Sequence, residues 1–76
     1  MAGRAADLRN RVYIAIAAAG AAGLTSDEAA EALGESILSV RPRVTELSKE
    51  KPPRVVPTGA RRRNESGMSA KVWRAA

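Results

Sequence analysis

Apolar residues recur with a helical period in two short segments between residues 25 and 50, and a glycine separates the segments. Thr25 is followed three residues later by Glu28, the spacing of a capping box, so we predict that a helix begins at Ser26. Gly34 lies where a left-handed residue would end that helix without steric cost. The apolar face of the predicted helix consists of Ala29, Ala30 and Leu33.

The second segment predicts a helix that follows a turn from Gly34 to about Leu38 and runs to about residue 50. Ser39 is its predicted N-cap, which places Pro42 in the first turn, where a residue has no intrahelical amide bond to lose. Apolar residues at i, i+4 and i+7 predict a buried stripe of Val40, Val44 and Leu47. The opposite face carries Arg41, Pro42, Thr45 and Lys49. Two short helices joined by such a turn are typical of a helix-turn-helix.

An earlier helix is predicted at about residues 4–19, and residues 20–23 end it. Its apolar stripe consists of Leu8, Val12, Ala15, Ile16 and Ala19. Ile14 lies about 140° from that stripe at 100° per residue, which leaves it without an obvious core partner. It either contacts the C-terminal part of the chain or belongs to a dimer surface, and the second explanation predicts a homodimer through the first helix.

The C-terminal third predicts a β-hairpin, or wing, at about residues 54–75. Lys51-Pro52-Pro53 cannot continue a helix, and the β-branched residues that follow predict a short strand at residues 54–56. The stretch PTGARRRNESG, rich in turn formers and arginine, predicts an exposed loop at residues 57–67. A second strand is predicted at residues 69–75 from its alternation. An isolated hairpin is marginal in water, so we expect it to lie against the helices.

Length and composition limit the chemistry that is open to this chain. Seventy-six residues correspond to one small domain, and the chain contains neither cysteine nor histidine. The usual metal ligands and general bases are therefore missing, and no constellation of Asp, Glu, Ser, Tyr or Lys suggests a catalytic site. We expect no enzymatic activity, no metal, no cofactor and no small-molecule ligand.

The net charge of +5 is concentrated near the C-terminus. Residues 1–50 carry a net charge of −1, whereas residues 51–76 carry +6. A localised basic surface favours a polyanionic partner. The arginines near the N-terminus and the alanine-rich run after them superficially resemble a signal peptide, but Asp7 and the weakly apolar alanines argue against one. The run is also too short to span a membrane, so we expect a cytoplasmic protein that does not associate with membranes.

Three helices followed by a basic hairpin make up an α+β fold. The segments LTSDEAAEALG, SVRPRVTEL and SGMSAKVW resemble those of small winged helix-turn-helix proteins of bacteria and phages, loosely MarR-like. The resemblance covers about residues 24–74. It implies double-stranded DNA binding, with the second helix of the pair in the major groove and the hairpin as a wing near the backbone or minor groove. By position, Ser39, Arg41 and Thr45 would belong to the recognition helix, and Arg61 to Asn64 to the wing tip.

The residue chemistry supports individual contacts. Arg41 can bind a guanine edge or a phosphate, and the outward Thr45 can contact a phosphate or a thymine methyl group. Arg43 is expected to pair with Glu46 within the helix instead. The predicted DNA-binding residues are Ser39, Arg41, Thr45, Lys49, Arg61, Arg62, Arg63, Asn64 and Lys71.

Arg61, Arg62 and Arg63 are the strongest candidates, because consecutive like charges repel one another unless an anion is close. Lys71, on the polar side of the second strand, is a predicted phosphate contact. Trp73 is expected to pack in the core or hairpin, since one other aromatic residue is too few for a base-stacking platform.

Two functions from different classes follow. The first is sequence-specific binding of double-stranded DNA by a transcriptional regulator or phage-type accessory factor, as a dimer or at repeated sites. The second is a winged-helix adaptor that binds host transcription or replication machinery, because a fold does not define a function. Basic residues on one face with the recognition helix would favour DNA, whereas a neutral helix with a basic tail would favour the adaptor.

Overall fold

The computed structural model describes residues 4–63 and 67–76, and within these residues three α-helices precede a two-stranded antiparallel sheet. The elements are α1 (Arg4–Ala18), α2 (Ser26–Leu33), α3 (Ile37–Lys49), β1 (Val55–Arg63) and β2 (Ser69–Ala75), with one 3-10 turn at Gly20–Ala22. This α+β order is consistent with a winged-helix topology, as the sequence predicted. No helix in the described ranges is long and apolar enough to cross a membrane.

The core forms where the predicted apolar stripes of α1 and α3 meet. Val12 and Ile16 from α1 are fully buried, and the α3 stripe is at most 2% exposed. Val55 of β1 completes this cluster, and Trp73 of β2 packs against its margin, as expected for that side chain. Burial of such side chains contributes about 1.5–3 kcal/mol each, so this stripe is the main reason that α3 is held in place.

The first half of the helix-turn-helix forms as predicted. Thr25 Oγ1 accepts a hydrogen bond from the backbone amide of Glu28 at 3.1 Å, and Glu28 Oε1 accepts one from the amide of Thr25 at 2.9 Å. The capping box therefore begins α2 at Ser26. Gly34 ends the helix in the left-handed conformation, with φ of 66° and ψ of 31°.

The start of α3 differs from the prediction. Ser36, not Ser39, is the N-cap, and its hydroxyl accepts a hydrogen bond from the amide of Leu38 at 3.1 Å. The helix gains Ile37, which packs against the core. Pro42 consequently lies in the second turn rather than the first, where it cannot donate to the carbonyl of Leu38. That position is exposed, so solvent can satisfy the carbonyl and the helix continues.

The first strand is much longer than predicted, because β1 takes up most of the segment that was assigned to a loop. Pro57 pairs with Trp73 and Arg61 pairs with Lys71, so three residues of β1 lie opposite a single residue of β2. Gly59, with φ of +89°, provides the backbone conformation for this bulge. Proline and glycine are tolerated within this strand because β1 is an edge strand, with β2 as its one neighbour among the described residues.

The hairpin is attached to the helices through a segment that the sequence pattern did not reveal. Leu24 forms an isolated antiparallel bridge with Trp73, in which the backbone amide of each donates to the carbonyl of the other at 2.8 Å. Gly23 allows this approach, since a Cβ there would lie 2.3 Å from the carbonyl oxygen of Trp73. The guanidinium of Arg54 also lies 4.2 Å from the ring centroid of Tyr13. The hairpin thus lies against the helices, as predicted.

The helix α1 ends at Ala18, one residue earlier than predicted. Ile14 on this helix is 56% exposed, so the hairpin does not bury it. More than half of this apolar side chain is therefore open to solvent, and both the contact with the C-terminal strands and the dimer surface stay predictions.

Candidate nucleic-acid interface

An open groove of about 380 Å³ lies between α3 and β2, and Ser26 and Asp27 of the first turn of α2 also line it. We call it the α3–β2 groove. Arg41 and Thr45 line it from the helix, and Lys71 lines it from the strand. Three predicted DNA-binding residues, which are up to 30 positions apart in the chain, therefore share one concave surface.

The outward face of α3 carries the predicted contact residues. At about 100° per residue, Arg41, Thr45 and Lys49 project within roughly 60° of the direction opposite Leu47, and all three are exposed. Ser39 is also exposed but lies to the side of this face. The hydroxyl of Thr45 donates a hydrogen bond to the carbonyl of Arg41 at 3.2 Å, which leaves its methyl group as the apolar contact surface.

The two arginines of α3 have different surroundings. Arg43 forms the predicted ion pair with Glu46: its Nη2 donates to Oε2 at 2.9 Å, while its Nε lies 2.9 Å from Oε1 without the alignment of a hydrogen bond. Glu46 also accepts a hydrogen bond from Arg9 of α1 at 3.3 Å, which links the two helices. Arg41 forms no ion pair with any residue in the described ranges. It is therefore an unpaired cation on the groove side, and Asp27 is the one acidic residue among the described residues that line the same groove.

The three consecutive arginines lie on strand β1 rather than at the tip of a loop, contrary to the prediction. In the sheet, Arg61 is opposite Lys71, Arg62 is opposite Ala70, and Arg63 is opposite Ser69. Directly opposed residues project to the same face, so Arg61 and Lys71 form a like-charged cross-strand pair. Arg61 Nε donates a hydrogen bond to Ser69 Oγ at 3.0 Å, but neither cation of the pair meets a carboxylate among the described residues.

Arg62 is held by the protein itself. Its Nη2 donates to the carbonyl oxygens of Ala22 and Gly23 at 2.8 and 2.9 Å, and its Nη1 lies 3.4 Å from Glu28 Oε2. These contacts join β1 to the capping box that begins α2. The sequence contained no local signal for this role, because the partners are 34 to 40 positions away.

Arg63 borders a second open groove, of about 470 Å³, between α2 and the end of β1. We call it the acidic groove, because its other charged lining residues are Asp27, Glu28, Glu31 and Glu35. Asp27 and Ile37 line both grooves. Asn64, the remaining predicted wing residue, lies outside the described residues.

Lys71 extends along the surface of its own strand. Its Nζ lies 5.9 Å from the ring centroid of Trp73, at the outer limit of a cation–π contact. This contact is weak, and Lys71 forms no ion pair with the described residues.

Within residues 4–63 and 67–76, no cluster of three or more acidic side chains is arranged to hold a metal ion. Comparisons with protein-family models, with curated proteins and with solved structures found no match to this chain.

Proposed function

We propose that this chain is a winged-helix protein that binds double-stranded DNA in the cytoplasm, as a transcriptional regulator or a phage-type accessory factor. The observation that carries the proposal is the α3–β2 groove, in which Arg41 of the helix and Lys71 of the hairpin line one surface, with Arg61 opposite Lys71. A shared basic face of helix and hairpin is the feature that favours DNA over a protein partner.

The dimensions of α3 suit the major groove. An α-helix with its side chains is about 10–12 Å wide, and the major groove of B-DNA is about 12 Å wide. In this arrangement the outward residues of α3 face base edges, and Arg41 is placed to bind a guanine edge or an adjacent phosphate.

The hairpin supplies the charge that holds this helix in position. The like-charged pair of Arg61 and Lys71 is unfavourable in the isolated protein, and a phosphate between the two cations removes that cost. Lys49, exposed at the end of α3, extends the basic surface beyond the groove. A single small module buries limited DNA surface, so we propose binding as a dimer or at repeated sites.

An adaptor that binds host transcription or replication machinery is the second candidate. The acidic groove favours it, because Glu31 and Glu35, which line this groove alone, repel DNA and suit a basic protein segment. Its nearness to the α3–β2 groove is also compatible with a protein that binds both DNA and a partner.

The test is selection of bound sequences from a random duplex pool at physiological salt, with the Arg41→Ala/Lys71→Ala variant as a matched control. The DNA proposal predicts an enriched motif that the control does not enrich. Recovery of all sequences alike would indicate an electrostatic binder without sequence preference. Failure of the wild-type protein to retain any duplex would favour the adaptor.

A further inference from the structure

Leu38 is the most exposed of the large apolar side chains that the structure describes outside the core. It is 81% exposed, compared with 70% for Met68 and 56% for Ile14. A single exposed leucine is ordinary on a protein surface, so exposure alone does not indicate a binding site. Its place on α3 is the informative observation.

The side chain lies at the centre of the outward face of α3. At about 100° per residue, Leu38 projects roughly 180° from the buried Leu47. The residues at i+3, i+4, i+7 and i+11 from it are Arg41, Pro42, Thr45 and Lys49, all of them exposed. Leu38 and Pro42 therefore form a small apolar surface with cationic side chains beside it.

The first turn of α3 also differs from that of α2. The first turn of α2 contains Asp27 and Glu28, as expected at the positive end of a helix dipole. The first turn of α3 has no acidic residue and presents Leu38 to solvent instead. A carboxylate there would stabilise the helix but would repel phosphates, so its replacement by an apolar residue suits a surface that meets DNA.

We propose that Leu38 is a specificity-determining residue that contacts the C5-methyl group of thymine in the major groove. This inference rests on the proposed DNA binding. The methyl group is the one apolar feature that a base pair presents in that groove, and apolar side chains recognise it. Because Arg41 is one helical turn further along the same face, the methyl contact falls beside the base or phosphate that Arg41 binds.

The experiment uses the best duplex from the random-pool selection and a set in which each thymine is replaced singly by deoxyuridine, which lacks only the methyl group. Wild-type protein should bind at least one substituted duplex about fourfold more weakly, the fold-change of one buried methyl group. Leu38→Ala should bind that duplex and its thymine parent equally. Ile14→Ala is the matched control, since it shortens an exposed apolar residue on α1. A weakened dimer would lower its affinity for both duplexes alike, so it should retain the wild-type ratio.

The outcomes separate this inference from the proposed function. If Leu38→Ala keeps the wild-type thymine-to-uracil ratio at every position, or if the selected site contains no thymine, Leu38 does not read a methyl group while DNA binding stands. If the wild-type protein binds no duplex, the proposed function fails and the inference fails with it. Thermal melts of both variants test whether any change in the ratio is a consequence of unfolding.

Discussion

The two grooves that meet at Asp27 and Ile37 differ in how their charges are used. In the acidic groove, Glu28 pairs with Arg62 and Glu35 pairs with Arg11, so two of its carboxylates already have partners within the protein. In the α3–β2 groove, Arg41 and Lys71 form no ion pair with the described residues. The net charge of the chain therefore says less about function than the pairing of each charge, because unpaired cations are the ones available to a partner.

The same contrast separates neighbouring arginines. Arg43 and Arg62 have internal carboxylate partners, whereas Arg41 and Arg61 do not. Arg41 and Arg61 thus each have a nearby arginine with a structural role. Substitution of either member of such a pair removes one positive charge from the chain. Any difference between the two single variants therefore reports on where in the structure that charge lies.

The largest expected effect concerns the core beneath α3, on which both grooves depend. Leu47→Ala should lower the free energy of unfolding by about 2–5 kcal/mol, because it leaves a cavity between α1 and α3. Leu38→Ala is the matched control, since it removes the same atoms from an exposed site and should change stability by less than about 0.5 kcal/mol. Urea denaturation followed by circular dichroism measures both. Equal stabilities of the two variants would show that the α3 stripe is not the core of the protein.

Replacement of each arginine of α3 in turn tests whether Arg41 and Arg43 have different roles. If Arg41 forms a bidentate hydrogen bond with a guanine, Arg41→Ala should lose about 1–3 kcal/mol of binding free energy on the preferred duplex and little on a scrambled one. Arg43→Ala should leave DNA affinity unchanged and affect only stability, by at most about 1 kcal/mol for a partly exposed pair. Fluorescence anisotropy titrations with both duplexes provide the measurement. Equal losses on the two duplexes for Arg41→Ala would assign that arginine to a backbone phosphate.

The difference between Arg61 and Arg62 of β1 is tested most directly by the salt dependence of DNA binding. Arg61→Ala should weaken binding to all duplexes and reduce the slope of log K against log salt by about 0.9, the value for one lost phosphate contact. Arg62→Ala should keep the wild-type slope, because its guanidinium is held by Ala22, Gly23 and Glu28. The titrations are repeated at several salt concentrations. A reduced slope for Arg62→Ala would mean that DNA displaces those internal contacts, and no loss from Arg61→Ala would remove the hairpin from the interface.

The smallest effect on the isolated protein is expected at Ile14, which belongs to neither groove. If α1 forms a homodimer, Ile14→Glu should shift sedimentation toward the monomer while helix content stays constant, because the 56% exposed side chain is not part of the core. Sedimentation velocity of wild-type and variant protein at high concentration tests this. A monomeric wild-type protein would exclude the α1 dimer, and any pairing would then have to occur on DNA through another surface.

The interactions that could be predicted are those between residues close in sequence. The capping box of Thr25 and Glu28, the left-handed Gly34 and the ion pair of Arg43 with Glu46 span three or four residues, so spacing alone determines whether the groups can meet. The buried stripe of α3 follows from the same helical period. Of the candidate site, the outward positions of Arg41, Thr45 and Lys49 could be predicted for this reason.

The remainder was decided by contacts between distant parts of the chain. Ser36 and Ser39 can both cap a helix, and the tertiary packing of Ile37 accounts for the earlier start. The length of β1 and its bulge depend on pairing with β2, so turn-forming residues alone indicated a loop where a strand formed. The internal role of Arg62 and the meeting of Arg41 with Lys71 in one groove depend on how the hairpin docks through Leu24. A sequence determines local geometry through spacing, but a side chain acquires a distant partner only when packing brings two segments together.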